Sequence, residues 1–417
     1  MKSVLRVLGG ASGGAALGFL ATILIARGFG AADFGLFASL VAIWALLAPL
    51  LAMGTGKLVL RAHAQGQPAQ ARWLLRTGVA LALALVVVVG VGAAVVGPWV
   101  YDREAWIFVF AVAGLAGLVV QDPLHSVFQA RERFGGLAAW HLLHPAGRMC
   151  AAAVALGLGL PFLGFMALYA LAELLILALA LWFILGFGQA PRTRHAGVPS
   201  GRVTGFIRDG APFAFSGVLY TVYYQADVVM LGILAGLEPA GLYKAAFVFV
   251  AAAYLLPSVF FQKFLLPRIF QWWEETVAPR SAFRLCLAGA GAFGLTACVG
   301  FLLLADILIH LVYGPDYAPA AVALRALAVA VLCHVLAMAF GAFLVTPGGI
   351  KRKVRVQVVT AVLNIALNLA LIPAYGMMGA VVATIASEAL LAVGYALMLR
   401  REFRHHTENH ADSVQRA

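Results

Sequence analysis

The chain consists almost entirely of long apolar stretches separated by short breaks, and this pattern limits what it can fold into. A helix needs about 20 apolar residues to cross the hydrocarbon core of a bilayer. The stretches predict helices at approximately 5–28, 33–60, 75–98, 105–130, 137–160, 164–188, 206–236, 240–267, 282–312, 319–346, 353–373 and 377–400. Of the 417 residues, 63% are hydrophobic and 11% are charged, about half the charged share of a soluble domain. We therefore predict an all-α polytopic membrane protein with about 12 transmembrane helices.

The distribution of basic residues orients the predicted helices. Of the 29 Lys and Arg residues, four lie within spans and one, Arg103, lies in an odd-numbered connection, which leaves 24 in the even-numbered connections and at the two ends. Basic residues concentrate in the cytoplasmic loops of membrane proteins. Both termini are therefore predicted to be cytoplasmic. The same rule explains the net charge of +12 without a nucleic-acid partner.

The longest polar break divides the chain into two halves. We predict four regions: an N-terminal six-helix lobe at 1–188, a cytoplasmic linker at 189–205, a C-terminal six-helix lobe at 206–400 and a cytoplasmic tail at 401–417. No Walker A sequence, nucleophile elbow or HExxH motif occurs in the sequence. ATP-driven and hydrolytic functions therefore have no support.

The two halves also resemble each other. The segment 30–37 aligns with 236–243, and the same offset aligns Lys57 with Lys263. Late in each half, Glu173 aligns with Glu388, each nine residues after a glycine. We expect two parallel six-helix repeats around a central cavity, because transporters commonly place the substrate between such repeats.

Four short motifs occur in order along the chain. They are ARGFGAADFGLF at 26–37, DVVMLG at 227–232, YGPDY at 313–317, and the pair of asparagines followed by proline and glycines at 364–384. With these motifs the sequence resembles the polysaccharide flippases of the multidrug/oligosaccharidyl-lipid/polysaccharide exporter (MOP) superfamily. The resemblance extends over nearly the whole chain.

The resemblance implies a transporter and not an enzyme. Such proteins move an undecaprenyl-diphosphate-linked oligosaccharide from the cytoplasmic to the outer leaflet of a bacterial inner membrane by alternating access. The implied partners are this lipid-linked oligosaccharide, membrane lipids, a coupling H⁺ or Na⁺ and the polysaccharide polymerase machinery, with no cofactor and no metal. Two alternatives stay open: a multidrug/cation antiporter of the same superfamily, and a membrane-embedded glycosyltransferase or ligase, which the short outer turns disfavour.

Basic residues inside the spans are candidates for the transport path, because charge within a bilayer is costly. Arg27, Lys244 and Arg325 lie near the outer ends of predicted helices and could bind the diphosphate of the substrate. Each could instead extend to the lipid headgroups. Arg148 lies at mid-depth, where it could bind substrate or pair with Asp122.

The seventh predicted helix carries a row of polar side chains. Tyr220, Tyr223, Tyr224 and Asp227 have spacings that place them on one helical face. Tyrosines can stack on sugar rings, and the carboxylate can bind a hydroxyl or a cation. The alternative is packing between helices, with the hydroxyl groups satisfied internally.

Three acidic residues within spans are candidates for ion coupling. Glu173, Glu388 and Asp122 lie in otherwise apolar stretches. A carboxyl group in apolar surroundings binds protons more readily and could load and release one during transport. The alternative is a neutral acid that forms a hydrogen bond to a neighbouring helix.

Overall fold

The computed structural model describes residues 2–186, 203–265, 268–269, 280–344 and 349–415, and every regular element in these ranges is a helix. The chain packs as two compact units, Met1–Glu238 and Pro239–Ala417. The helices up to the boundary are α1 (Lys2–Ala52), α2 (Thr55–Ala64), α3 (Pro68–Tyr101), α4 (Ala105–Ala130), α5 (Phe134–Gly157), α6 (Phe162–Gly186) and α7 (Val203–Leu234).

The second unit contains five further helices. They are α8 (Leu237–Val259), which begins at the boundary and continues as a π-helical turn (Phe260–Leu265), α9 (Arg280–Tyr313), α10 (Ala318–Phe343), α11 (Gly349–Tyr375) and α12 (Met377–Gln415). A 3₁₀ turn (Pro315–Tyr317) precedes α10. Within this unit α10 packs against both α9 and α12, and α12 also packs against α11.

The described helices confirm an all-α, multi-pass membrane protein. Nine of them are long and apolar enough to cross a membrane. One of the nine, Gly9–Ala52, contains two predicted spans, because α1 breaks at Gly30. The helices α5 and α7 have spanning length but carry more polar residues. Each of the twelve predicted spans therefore has a helical segment in the described part of the chain.

Two glycines that align in the internal repeat have the same backbone role. Gly30 has a φ of 80° and Gly236 a φ of 102°, a region that side-chain-bearing residues seldom adopt. Each lies between the first two helical segments of its half. The aromatic residues that follow at equivalent positions, Phe37 and Tyr243, are both buried. The repeat seen in the sequence therefore corresponds to repeated local structure.

The packing of α7 bears on the predicted lobes. The sequence assigns this helix to the second half, whereas in the structure it packs against α1 within the first unit. Residues 187–202, which include most of the predicted linker at 189–205, lie outside the described residues. The predicted tail is helical as far as Gln415. The division into six plus six helices stays a prediction.

The close approach of α1 and α5 in the first unit depends on small residues of α1. Gly10 and Gly14 face α5, and a methyl group on either would collide with a backbone carbonyl oxygen of α5, that of Ala138 or His141. Glycines four residues apart allow two helix backbones to approach closely within a membrane. On the other side of the same turn, Gly9 has no neighbour within 4 Å of such a methyl group.

This contact predicts a selective loss of stability. Gly14→Val should lower the apparent melting temperature of the detergent-purified protein, because overpacking a close contact costs about 3 kcal/mol. Gly9→Val is the matched control, since its added methyl groups meet open space. Thermal unfolding followed by loss of the monodisperse chromatographic peak measures both. Equal melting of the two variants would show that the α1–α5 contact is looser than the structure indicates.

Candidate functional site

The first unit contains a buried histidine–glutamate pair. Glu173 of α6 is 2% exposed, and its Oε2 atom lies 2.9 Å from Nδ1 of His144 on α5. The hydroxyl of Tyr169 also donates a hydrogen bond to this carboxyl group. Gly117 of α4 provides the space, because a Cβ atom there would collide with the carboxyl oxygen. Three helices therefore converge on one acidic group.

The second unit contains a similar pair. Glu388 of α12 and His334 of α10 are both almost fully buried, and their Oε2 and Nδ1 atoms lie 2.9 Å apart. The ring of Tyr254, from α8, stacks on His334 with 3.9 Å between ring centroids. This pair also joins three helices, and its carboxyl group occupies the repeat position that corresponds to Glu173.

The sequence pointed to both glutamates but not to their histidine partners. The two glutamates align in the repeat, whereas His144 lies on α5 and His334 lies on α10, the fourth helical segment of its half. No common spacing links the histidines to the glutamates, so an alignment of the two halves does not find them. For the second pair, the available signal was a single histidine in α10, whose sequence is apolar apart from this residue and Arg325.

Each pair has the composition of a proton-binding site. With one proton shared between carboxyl group and imidazole the pair is neutral, and without it the pair carries one negative charge. A buried uncompensated charge is costly, so uptake and loss of one proton change the local energy strongly. The second ring nitrogen of His144, Nε2, is buried without a hydrogen-bond partner among the described residues.

The third candidate for ion coupling, Asp122, has a different setting. Its side chain is exposed and lines an open pocket of the first unit. It accepts a hydrogen bond from the backbone N–H of Gly56, at the start of α2, and it interacts electrostatically with Lys57. Asp122 therefore satisfies a free backbone donor at a helix N-terminus. The suggested ion pair with Arg148 does not form.

Arg148 instead faces aromatic residues. Its guanidinium carbon lies 6.0 Å from the ring centroid of Phe37, and it interacts electrostatically with Tyr169, one turn of α6 before Glu173. Its Nε atom is buried without a hydrogen-bond partner among the described residues. Arg148 thus belongs to the same polar region as the His144–Glu173 pair, and its role in substrate binding stays a prediction.

The three cations that the sequence predicts at the outer ends of helices have distinct surroundings. Arg27 is exposed on α1, three residues before the break at Gly30. The Nζ atom of Lys244 lies 6.0 Å from the ring centroid of Phe247, one turn later on α8. Arg325 forms an ion pair with Asp306 of α9, a residue that the sequence had not indicated. The predicted binding of a diphosphate by these cations remains untested.

The polar face of α7 is described only in part. The helical positions of Tyr220 and Tyr223 are described, but their side chains lie outside the described set, whereas Tyr224 is half-buried and Asp227 is 5% exposed. One residue further on, the backbone carbonyl of Val228 accepts a hydrogen bond from Ser39 of α1 at 3.5 Å. At this level α7 therefore lies close to α1, and the role of the polar face in binding sugar stays a prediction.

Comparison with solved structures identifies the fold. A multidrug resistance MATE family transporter of the MOP superfamily, in an inward-facing conformation, matches with a TM-score of 0.73 and 15% identity over 94% of this chain and 96% of that chain. The lipid II flippase MurJ, in an inward closed conformation, matches with a TM-score of 0.70 and 12% identity over 95% of this chain and 87% of that chain. At these identities the likeness shows the fold alone. No curated protein matches the chain.

The sequence itself matches a family model. The model of the polysaccharide biosynthesis protein family covers residues 1–273, which include the first unit and the first helix of the second. The matched region contains two of the four motifs that suggested the resemblance, those at 26–37 and 227–232. The chain therefore belongs to the polysaccharide biosynthesis protein family of the MOP superfamily.

Proposed function

We propose that this protein is a flippase that moves an undecaprenyl-diphosphate-linked oligosaccharide across a bacterial inner membrane. The observation that supports this most is the match to the polysaccharide biosynthesis family over residues 1–273, in a chain with the fold of MOP transporters. The substrate is exported without chemical change, so no catalytic residue is required. The distribution of basic residues supports cytoplasmic termini.

The two histidine–glutamate pairs are the coupling sites in this proposal. Na⁺, a hard cation, prefers several oxygen ligands, as Ca²⁺ and Mg²⁺ do, whereas each pair presents a ring nitrogen to its carboxyl oxygen. A shared proton fits this arrangement better. Outward movement of the lipid-linked oligosaccharide is then coupled to inward movement of protons, which bind at Glu173, Glu388 or both. The polysaccharide polymerase machinery is the partner that uses the exported lipid on the outer face.

A deletion strain tests the proposed substrate. Loss of the gene should leave the lipid-linked oligosaccharide in the cytoplasmic leaflet, where an impermeant sugar-modifying reagent added to spheroplasts does not reach it. Restoring the gene should return the glycan to the accessible leaflet. Normal accessibility in the deletion strain would overturn the proposal. If the strain also became sensitive to amphipathic cations, the multidrug antiporter would replace the flippase as the preferred function.

A further inference from the structure

The first unit contains an open pocket with a volume of about 410 Å³, which we call the cavity of the first unit. It is bounded by α1, the start of α2, α4 and α7, and most of its wall consists of small apolar side chains. Its polar and aromatic lining consists of Lys57, Gln121, Asp122, His125 and Phe213. The volume is near the lower end of the range of about 300–1,000 Å³ found for small-molecule sites.

Two opposite charges face this cavity without neutralising each other. Lys57 and Asp122 interact electrostatically, and both side chains are exposed to the cavity, but they form no ion pair in the described first unit. The Nζ atom of Lys57 lies 5.3 Å from the ring centroid of Phe213. On the largely apolar wall of this open pocket, these two separated charges are the groups that a polar molecule can bind. The space between the ammonium and carboxylate groups therefore suits a polar ligand.

The remaining lining residues define the chemistry of such a ligand. The lysine only donates hydrogen bonds and the carboxylate only accepts them, whereas the Gln121 amide does both. His125 has its Nε2 atom buried without a hydrogen-bond partner among the described residues. Asp122 would repel an anion and Lys57 would repel a cation. Neighbouring hydroxyl groups, which donate and accept, satisfy this set, and Phe213 offers an apolar face to a sugar ring.

We propose that this cavity binds about one or two sugar units of the lipid-linked oligosaccharide, as a saccharide subsite of the first unit. The inference rests on the proposed flippase function and assigns a binding position to the glycan part of the substrate. Gln121 and Lys57 form hydrogen bonds with hydroxyl groups of the sugar. On the opposite side from Lys57, the carboxylate of Asp122 accepts hydrogen bonds from the sugar hydroxyl groups. The diphosphate is bound elsewhere, because the cavity places a carboxylate beside its lysine.

The test compares a glycan-bearing lipid with the same lipid lacking sugar. The full-length protein is placed in lipid nanodiscs, and binding is measured for the host's undecaprenyl-diphosphate-linked oligosaccharide and for undecaprenyl diphosphate. Gln121→Ala and Lys57→Met should each weaken binding of the first lipid about tenfold and leave binding of the second unchanged. Gln129→Ala, an exposed residue on the same helix, is the matched control and should change neither.

Three outcomes decide between the proposals. Selective weakening of the glycan-bearing lipid in Gln121→Ala and Lys57→Met supports the saccharide subsite. Equal weakening of both lipids, or of neither, overturns it while leaving the flippase function intact. Failure of the unaltered protein to bind either lipid contradicts the flippase function itself. Melting temperatures equal to that of the unaltered protein show that the variants are folded, as expected for side chains that face open space.

Discussion

Glu388→Gln is expected to abolish proton-coupled export while leaving the protein folded. Glutamine keeps the size of the side chain and can still hydrogen-bond to His334, which lies 2.9 Å from the native carboxyl group. It cannot release a proton, so the pair no longer changes its charge during transport. We expect at least a tenfold loss of substrate-driven proton movement, measured with a pH-sensitive dye trapped in proteoliposomes. Glu173→Gln tests the equivalent position of the first unit.

The control for this prediction is a glutamate outside the buried pairs. Glu238 is exposed at the start of α8, so Glu238→Gln should leave proton movement unchanged. His334→Gln should reduce coupling as Glu388→Gln does, because the proton is shared by both groups. Proton movement at the native rate in both Glu173→Gln and Glu388→Gln would rule out the coupling role of the pairs.

Other titratable groups lie beside each histidine–glutamate pair. Around Glu388 these are Cys333 of α10 and Tyr395 of α12, in addition to His334. Around Glu173 they are Tyr169, Arg148 and His144, while His125 and His141 lie further along the same polar region. The tyrosines and cysteines stay neutral near neutral pH.

The second large effect is expected from the cations at the outer ends of the helices. The double variant Arg27→Ala, Arg325→Ala should lose at least tenfold in export of the lipid-linked oligosaccharide, because a diphosphate in an apolar cavity requires positive partners. The protein should still insert and melt normally, since Arg27 is exposed and the partner of Arg325 is itself exposed at 64%. Export is measured as surface glycan in the complemented deletion strain.

Asp306 separates a substrate role of Arg325 from a structural one. If Arg325 serves only to pair with Asp306, Asp306→Asn should reduce export as much as Arg325→Ala does. If Arg325 binds the diphosphate, Asp306→Asn should preserve export, because it removes only the competing carboxylate. An exposed ion pair of this kind contributes about 0–1 kcal/mol to stability. Full export by the double arginine variant would show that neither Arg27 nor Arg325 is needed to bind the diphosphate.

The sequence predicted the helices well because the bilayer imposes a strong and local signal. The helix predicted at 105–130 has the same bounds as α4, since turn residues mark both of its ends. Gly30 and Gly236 were correctly identified as equivalent because the positive φ that each adopts leaves glycine as the favoured residue. Both signals depend only on neighbouring residues in the chain.

The partners of the charged side chains were not predictable in the same way. His334 and Glu388 are 54 residues apart, and Arg325 pairs with Asp306 across α9 and α10. Such contacts depend on how each helix is rotated about its axis and packed against its neighbours. A helix that is apolar on all sides carries little sequence information about this rotation. The placement of α7 against α1 depends in the same way on tertiary contacts. A single sequence contains no pairwise signal for these contacts.

The most direct test of the proposed function uses the purified protein in proteoliposomes. The vesicles contain the host's undecaprenyl-diphosphate-linked oligosaccharide, and an impermeant periodate reagent added outside reports the glycan that reaches the outer leaflet. With a proton gradient imposed, the proposal predicts that protein-containing vesicles expose glycan from the inner leaflet much faster than protein-free vesicles, and that Glu388→Gln reduces this gain. If vesicles with the folded, unaltered protein expose glycan no faster than protein-free vesicles, the proposal that this chain is a lipid-linked oligosaccharide flippase is contradicted.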